Sequence, residues 1–251
     1  MIFDTHAHYY DEAFDEDREE LLASMADGGI GRIVNASEDR VSAEKVIALV
    51  RRYDFMYGAV GIHPEDVEHE REISWIRPLL DEPRIVAIGE IGLDYHWDTP
   101  KDLQRQIFAD QLELALETDT PVIIHSREAA QDTYDIMKEC GGDRISAVIH
   151  CFGYEKEMAA RFMDLGYYIG IGGVVTYRNG RKLKEVAEAM PPDRLLLETD
   201  CPYLSPVPYR GKRNCSLYLH EVVAEIAGLR GVSAAEIEDI TWENANRFYR
   251  I

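Results

Sequence analysis

Basic residues are scarce: 27 Lys and Arg stand against 47 Asp and Glu, a formal net charge of −20 over 251 residues. A field of that sign repels nucleic acid spread over a broad surface, so a polyanionic ligand must be held locally. Long hydrophobic runs are missing too. No apolar stretch approaches the ~20 residues that span a bilayer, and no basic region precedes the apolar run at Ile2, so neither a membrane helix nor a secretory signal is expected. Cys140, Cys151, Cys201 and Cys215 form no C-x-x-C pair and no disulfide framework, which suits a reducing compartment. Together these absences predict a cytoplasmic protein without membrane partners.

What is present is a repeat of short β-branched or aliphatic runs separated by amphipathic stretches. Strands are expected over 1–6, 32–37, 56–62, 84–90, 121–126, 147–152, 167–173 and 194–200. Helices are expected near 15–27, 42–53, 72–81, 101–118, 127–139, 155–165, 180–190, 217–229 and 234–248. In 101–118, Leu103, Ile107, Leu112, Leu114 and Ala115 recur on one side against charged and amide residues. Eight β-then-α units in a chain of this length predict an α/β fold, a single (β/α)8 TIM barrel over residues 1–251. An open doubly wound sheet is the competing arrangement, but it calls for a Gly-rich phosphate turn after the first strand, and none is there.

In a barrel of this kind the chemistry sits at the C-terminal ends of the strands. Those ends carry His6 with His8, then His63, Glu90, His125, His150 and Asp200. His6 and His8 are two apart, so strand alternation turns both to one face, with Asp4 one layer deeper as a partner able to orient an imidazole. Glu90 lies between glycines, and a carboxylate buried there needs a cation or a donor. Around a closed barrel the last strand neighbours the first, which brings Asp200 beside His6 and His8. Mixed imidazole and carboxylate donors suit two divalent ions, Zn²⁺ or Mn²⁺ more readily than Mg²⁺. One ion is expected on His6, His8, Asp200 and Glu90, the other on His125, His150 and Glu90, with Glu90 shared. Cys151 and Cys201 each follow a ligand, so alternation should turn them away from the metals.

The segments FDTHAH, GIHP, GEIGLDY, IHSREA, IHCF and ETDCPYLSPVPYRGKRN, continued by ENANRFY near the end, resemble the signature blocks of the TatD family of metal-dependent deoxyribonucleases over essentially the whole chain. The resemblance implies an amidohydrolase-like TIM barrel acting on DNA with divalent metals, in some members as a 3′→5′ exonuclease on single strands. It places the family's metal pattern on His6, His8, Glu90, His125, His150 and Asp200, and implies substrate or phosphate contact for His63 and Arg127. One departure is visible: after GKRN the family commonly continues with Glu-Pro, where this chain has Cys215 and Ser216.

Two divalent ions acidify a bound water and clamp a phosphate oxygen; Asp200, ligand and neighbour of that water, is the expected proton acceptor, with Glu90 in the same catalytic unit. Two dications against Glu90 and Asp200 leave the mouth near +2, to which Arg127, Arg210 and Lys212 are expected to add, along with Arg178, Arg181 and Arg213. Tyr95, Trp97, Tyr203 and Tyr209 are positioned in the sequence to stack bases, which favours single-stranded DNA or DNA ends as the partner. The same metals serve an amidohydrolase or esterase acting on a small amide, lactone or phosphoester, and the ligand set does not separate the two. A non-catalytic metal protein would have a closed ligand shell. Oligomeric state is not encoded in these patterns.

Overall fold

The computed structural model describes residues 1–251. Eight parallel strands pair in sequence order in one sheet: β1 (Ile2–Ala7), β2 (Ile30–Ala36), β3 (Met56–Val60), β4 (Ile85–Asp94), β5 (Val122–Arg127), β6 (Ala147–Ile149), β7 (Tyr168–Ile171) and β8 (Leu195–Leu197). The sheet closes just past β8, where Ala7 bridges Cys201 and the Asp200 and His8 amides donate to His6 O and Cys201 O at 3.0 and 2.8 Å. This is the expected TIM barrel.

Helices α1 (Arg18–Ala23), α2 (Arg40–Arg52), α3 (Ile76–Leu79), α4 (Lys101–Thr118), α5 (Ala130–Cys140), α6 (Lys156–Asp164), α7 (Arg181–Ala189), α8 (Leu219–Arg230) and α9 (Ala234–Tyr249) follow. None is long and apolar enough to cross a membrane. The expected helix at 72–81 shrinks to the single turn of α3, because Pro78 has no amide to pair with Ser74 O, which blocks extension toward residue 72, and Pro83 stops the segment. The expected 15–27 helix shortens to α1, with a separate 3₁₀ turn at Glu12–Phe14 ahead of it.

Strand alternation splits the apolar residues between two cores. Phe3, Val34, Ala59, Ala87, Ile123, Val148, Tyr168 and Leu196, one from each strand, pack inside the barrel with Phe248 and Tyr249 of α9. The Tyr249 hydroxyl donates to Thr5 O at 2.7 Å and so fixes the helix end beneath the strands. The other faces pack against the helix layer.

Two buried glutamines of α4 set the upper rim. Gln104 accepts from the Asp94 amide and donates to Asp94 O, both at 2.8 Å. Gln111 does the same for Ile62, at 2.8 and 3.1 Å. Each amide side chain satisfies a backbone donor and a backbone acceptor at or just beyond the end of a strand. The clamps hold His63 and Asp94 in place.

Candidate metal centre

The six expected ligands converge at the C-terminal mouth of the barrel. Glu90 is the hub: its Oε1 lies 2.6 Å from His150 Nε2 and 2.7 Å from His125 Nδ1, and its Oε2 lies 3.2 Å from His6 Nε2. Asp200 Oδ1 stands 3.3 Å from His8 Nε2 and 3.5 Å from His6 Nε2. Its backbone sits in the left-handed region at φ 57°, where the chain turns off β8 toward β1.

The ring orientations are set from behind. His8 Nδ1 donates to Ala36 O at 2.9 Å, so its Nε2 faces inward as a lone pair. His125 Nε2 donates to Asp94 Oδ2 at 2.9 Å, so its Nδ1 faces Glu90. His63 differs: its Nδ1 accepts from the Glu65 amide at 3.2 Å, which makes Nε2 a donor, 3.5 Å from Glu90 Oε1.

Lone pairs aimed at carboxylate oxygens at these distances repel unless a cation stands between them. Without a metal that cation is a proton. Burial opposes charge on His8, yet Asp200 and Glu90 push it up to about 10; burial likewise opposes charge on His125, which Asp94 and Glu90 push up to about 9. Desolvation by burial disfavours ionised Glu90, but the surrounding imidazoles hold it well below the usual carboxylate range. No Lys or Arg enters the cluster. His6 with Glu90 and His150, His6 with His8 and Asp200, and His63 with Glu90 and His125 each bring ligand atoms within 4.8 Å of one another. These donors fit divalent cations, which would take the place of the protons.

The family model of TatD-related DNases matches residues 3–250. The chain belongs to this family. It is 44% identical over 254 residues to the uncharacterized metal-dependent hydrolase YabD of Bacillus subtilis, covering 100% of both chains. It is 33% identical over 257 residues to a protein of Cronobacter sakazakii named 3′-5′ ssDNA/RNA exonuclease TatD, covering 99% of this chain and 97% of that one. Among solved structures, the TatD homologue YjjV of Escherichia coli superposes with a TM-score of 0.93 at 32% identity, covering 100% of this chain and 98% of that one. The protein is therefore a TatD-family metal-dependent hydrolase.

Above the TatD-family cluster opens a cavity of about 1010 Å³. His63, Arg127, Trp97 and Tyr203 line it, with Trp97 and Tyr203 each about half exposed. Arg210 and Lys212 do not line it; the Arg210 guanidinium lies 4.3 Å from the centre of the Tyr177 ring, and Lys212 leans toward Tyr209. Arg213 is held by Asp17 through hydrogen bonds of 2.6 and 2.7 Å. Tyr95 turns away, its hydroxyl donating to Asp132 at 2.6 Å, and Tyr209 stacks on Tyr218 with ring centres 3.8 Å apart. The loop aromatics expected to stack bases thus reduce to Trp97 and Tyr203.

Three further expectations need correction. Asp4 orients no imidazole ring: its carboxylate accepts from Thr199 Oγ1 at 2.7 Å, from Ser216 Oγ at 2.6 Å, and from the Thr199 and His6 amides. It ties the end of β8 to β1 and leaves ring orientation to Ala36 and Asp94. Cys151 lines the cavity, because the chain bends there into the left-handed region at φ 45° and alternation ends; Cys201 is fully buried, as expected. β4 also continues beyond Glu90, shifting register between Ile88 and Ile91 and ending at Asp94.

Asp94 and Glu198 are the functional candidates that strand-end reasoning passed over. Asp94 lies in GEIGLDY and Glu198 opens ETD, so both were inside segments already singled out. Glu198 lines the cavity, accepts from the Cys151 amide beside His150, and is pushed up to about 8 by burial.

Proposed function

We propose that residues 1–251 form one hydrolase domain that cleaves phosphodiester bonds of single-stranded DNA from the 3′ end, using two divalent ions, Mg²⁺, Mn²⁺ or Zn²⁺. The observation that carries this reading is the single Glu90 carboxylate standing between His6 on one side and His125 and His150 on the other. In this reading His6, His8 and Asp200 hold one ion, His125 and His150 the other, and Glu90 both. Bound there, the ions would supply Lewis acidity toward a phosphate oxygen and lower the pKa of a water.

The chain's own residues supply the rest. Asp200, whose side chain is 18% exposed to the cavity while its Oδ1 faces His6 and His8, accepts the proton of the attacking water. His63 donates through Nε2 to a substrate oxygen, since its Nδ1 is already an acceptor. Arg127, the cation on the cavity wall, pairs with the phosphate, and Trp97 and Tyr203 offer ring faces to unpaired bases. Arg210 and Lys212 are given no contact with the scissile group. The name of the C. sakazakii relative supports this substrate class.

The test is an end-labelled single-stranded oligonucleotide incubated with metal-stripped protein, with protein refilled with each metal, and with refilled Asp200→Asn. A ladder shortening from the 3′ end that requires metal and is lost in the variant supports the reading. An intact strand with metal demonstrably bound overturns it and directs attention to small amides, lactones and phosphoesters.

A further inference from the structure

The wall of the cavity is unusual for a site that receives a polyanion. Arg127 is the one Lys or Arg that lines it, and even this guanidinium has the buried Asp94 carboxylate 3.9 Å away. Outside the six candidate ligands the wall carries Glu38, Glu65, Asp66 and Glu128, and also the buried Glu198, which burial pushes up to about 8. Of the other cations near the barrel mouth, Arg213 pairs with Asp17 and Lys182 with Glu155 at 2.5 Å, Arg210 lies over the Tyr177 ring, and Arg178 and Lys212, without a carboxylate partner, stand outside the cavity wall. The whole chain adds a net charge of −20 behind this rim.

Two dications opposed by Glu90 and Asp200 leave an excess near +2, enough for one phosphodiester and the water-derived nucleophile beside it. Each further phosphate of a long strand faces carboxylates, with only Arg127 to offset them. At separations of ~8 Å such pairs still repel at physiological salt, since the screening length is itself about 8 Å.

From this we propose, resting on the phosphodiesterase reading above, that Glu65 and Glu128 with Glu38 and Asp66 form a charge filter that sets substrate length. The site then takes dinucleotides and short single-stranded fragments in preference to long strands. Glu65 and Glu128 are exposed, Glu128 with His96 Nδ1 3.0 Å from its carboxylate, so they meet the flanking phosphates first. The usual nucleic-acid enzyme holds its substrate by releasing counterions, and its affinity falls as salt rises. Here the sign reverses for long strands, because added salt weakens repulsion rather than attraction.

The experiment compares kcat/KM of metal-loaded protein on a dinucleotide and on a single strand of about twenty nucleotides while monovalent salt is raised. It is repeated with the double variant Glu65→Gln/Glu128→Gln. Expected is a wild type that favours the dinucleotide at low salt, with turnover of the long strand rising or staying level as salt increases. In the double variant the long strand gains about fivefold and the dinucleotide is unchanged, which also reports that the variant is folded. A wild type that prefers the long strand with turnover falling steeply in salt overturns the filter while leaving the phosphodiesterase reading intact. So does a double variant that treats both substrates as the wild type does. Failure to cleave either substrate removes the phosphodiesterase reading, and the filter with it.

Discussion

The Asp94 carboxylate accepts a hydrogen bond from His125 Nε2 at 2.9 Å, and the opposite nitrogen of the same ring faces Glu90 Oε1 at 2.7 Å. One ring nitrogen is thereby fixed as a donor and the other is aimed at the centre of the cluster. A carboxylate behind an imidazole both orients the ring and raises its basicity as a ligand. Asp94→Asn keeps the shape and weakens the acceptor. Metal affinity should fall about 10- to 100-fold, read by competition against a chelating dye. Unchanged affinity would mean that Asp94 serves only the end of β4.

Metal binding should release protons. Asp200 and Glu90 outweigh burial to push His8 up to about 10, and Asp94 and Glu90 do so for His125, up to about 9. Both rings are protonated near neutrality and must lose a proton before a lone pair can bind metal. Calorimetry at neutral pH in buffers of different ionisation enthalpy should report about two protons released per chain on saturation, with affinity rising as pH rises. In metal-free protein the sign is opposite. Both values lie above the ~6.5 of an unfolded imidazole, so their contribution to stability is complete below that pH and lost as pH rises through the folded values. Titration without buffer-dependent heat contradicts this account.

The convergence of the candidate ligands was legible from the sequence because a barrel converts sequence position into spatial position. Residues in the C-terminal part of a strand or just beyond it reach the mouth, and His6, Glu90, His125, His150 and Asp200 all do. Features set by contacts between distant segments were not. The path of the 202–214 loop depends on Arg213 reaching Asp17 and Arg210 reaching Tyr177, so the basic cluster read from the sequence is dispersed in space. Asp94 was missed because the strand appeared to end at Glu90, whereas Gln104 of α4 supports its continuation. Cys151 escaped alternation through a positive φ that nothing in IHCF announces.

At the position where the sequence departs from the family pattern, Ser216 has a structural task. Its hydroxyl donates to Asp4 at 2.6 Å and its amide donates to the Tyr9 hydroxyl at 2.8 Å. Burial pushes Asp4 up to about 6, against the hydrogen bonds from Ser216 and Thr199 that favour its ionised form. Ser216→Ala removes one of those donors from a buried carboxyl and should cost about 1–3 kcal/mol in urea unfolding. Metal content should stay as in the wild type. A variant of undiminished stability would show that Thr199 and the His6 amide suffice for Asp4.

The shared role of Glu90 is the central claim, and metal stoichiometry tests it most directly. Metal-stripped wild type and Glu90→Ala are each equilibrated with Mn²⁺ or Zn²⁺ and the bound metal is counted, with circular dichroism confirming that both are folded. The account predicts two ions per wild-type chain and loss or marked weakening of both in the variant, because each cluster loses the carboxylate it shares. A variant that still binds two ions with wild-type affinity would contradict it.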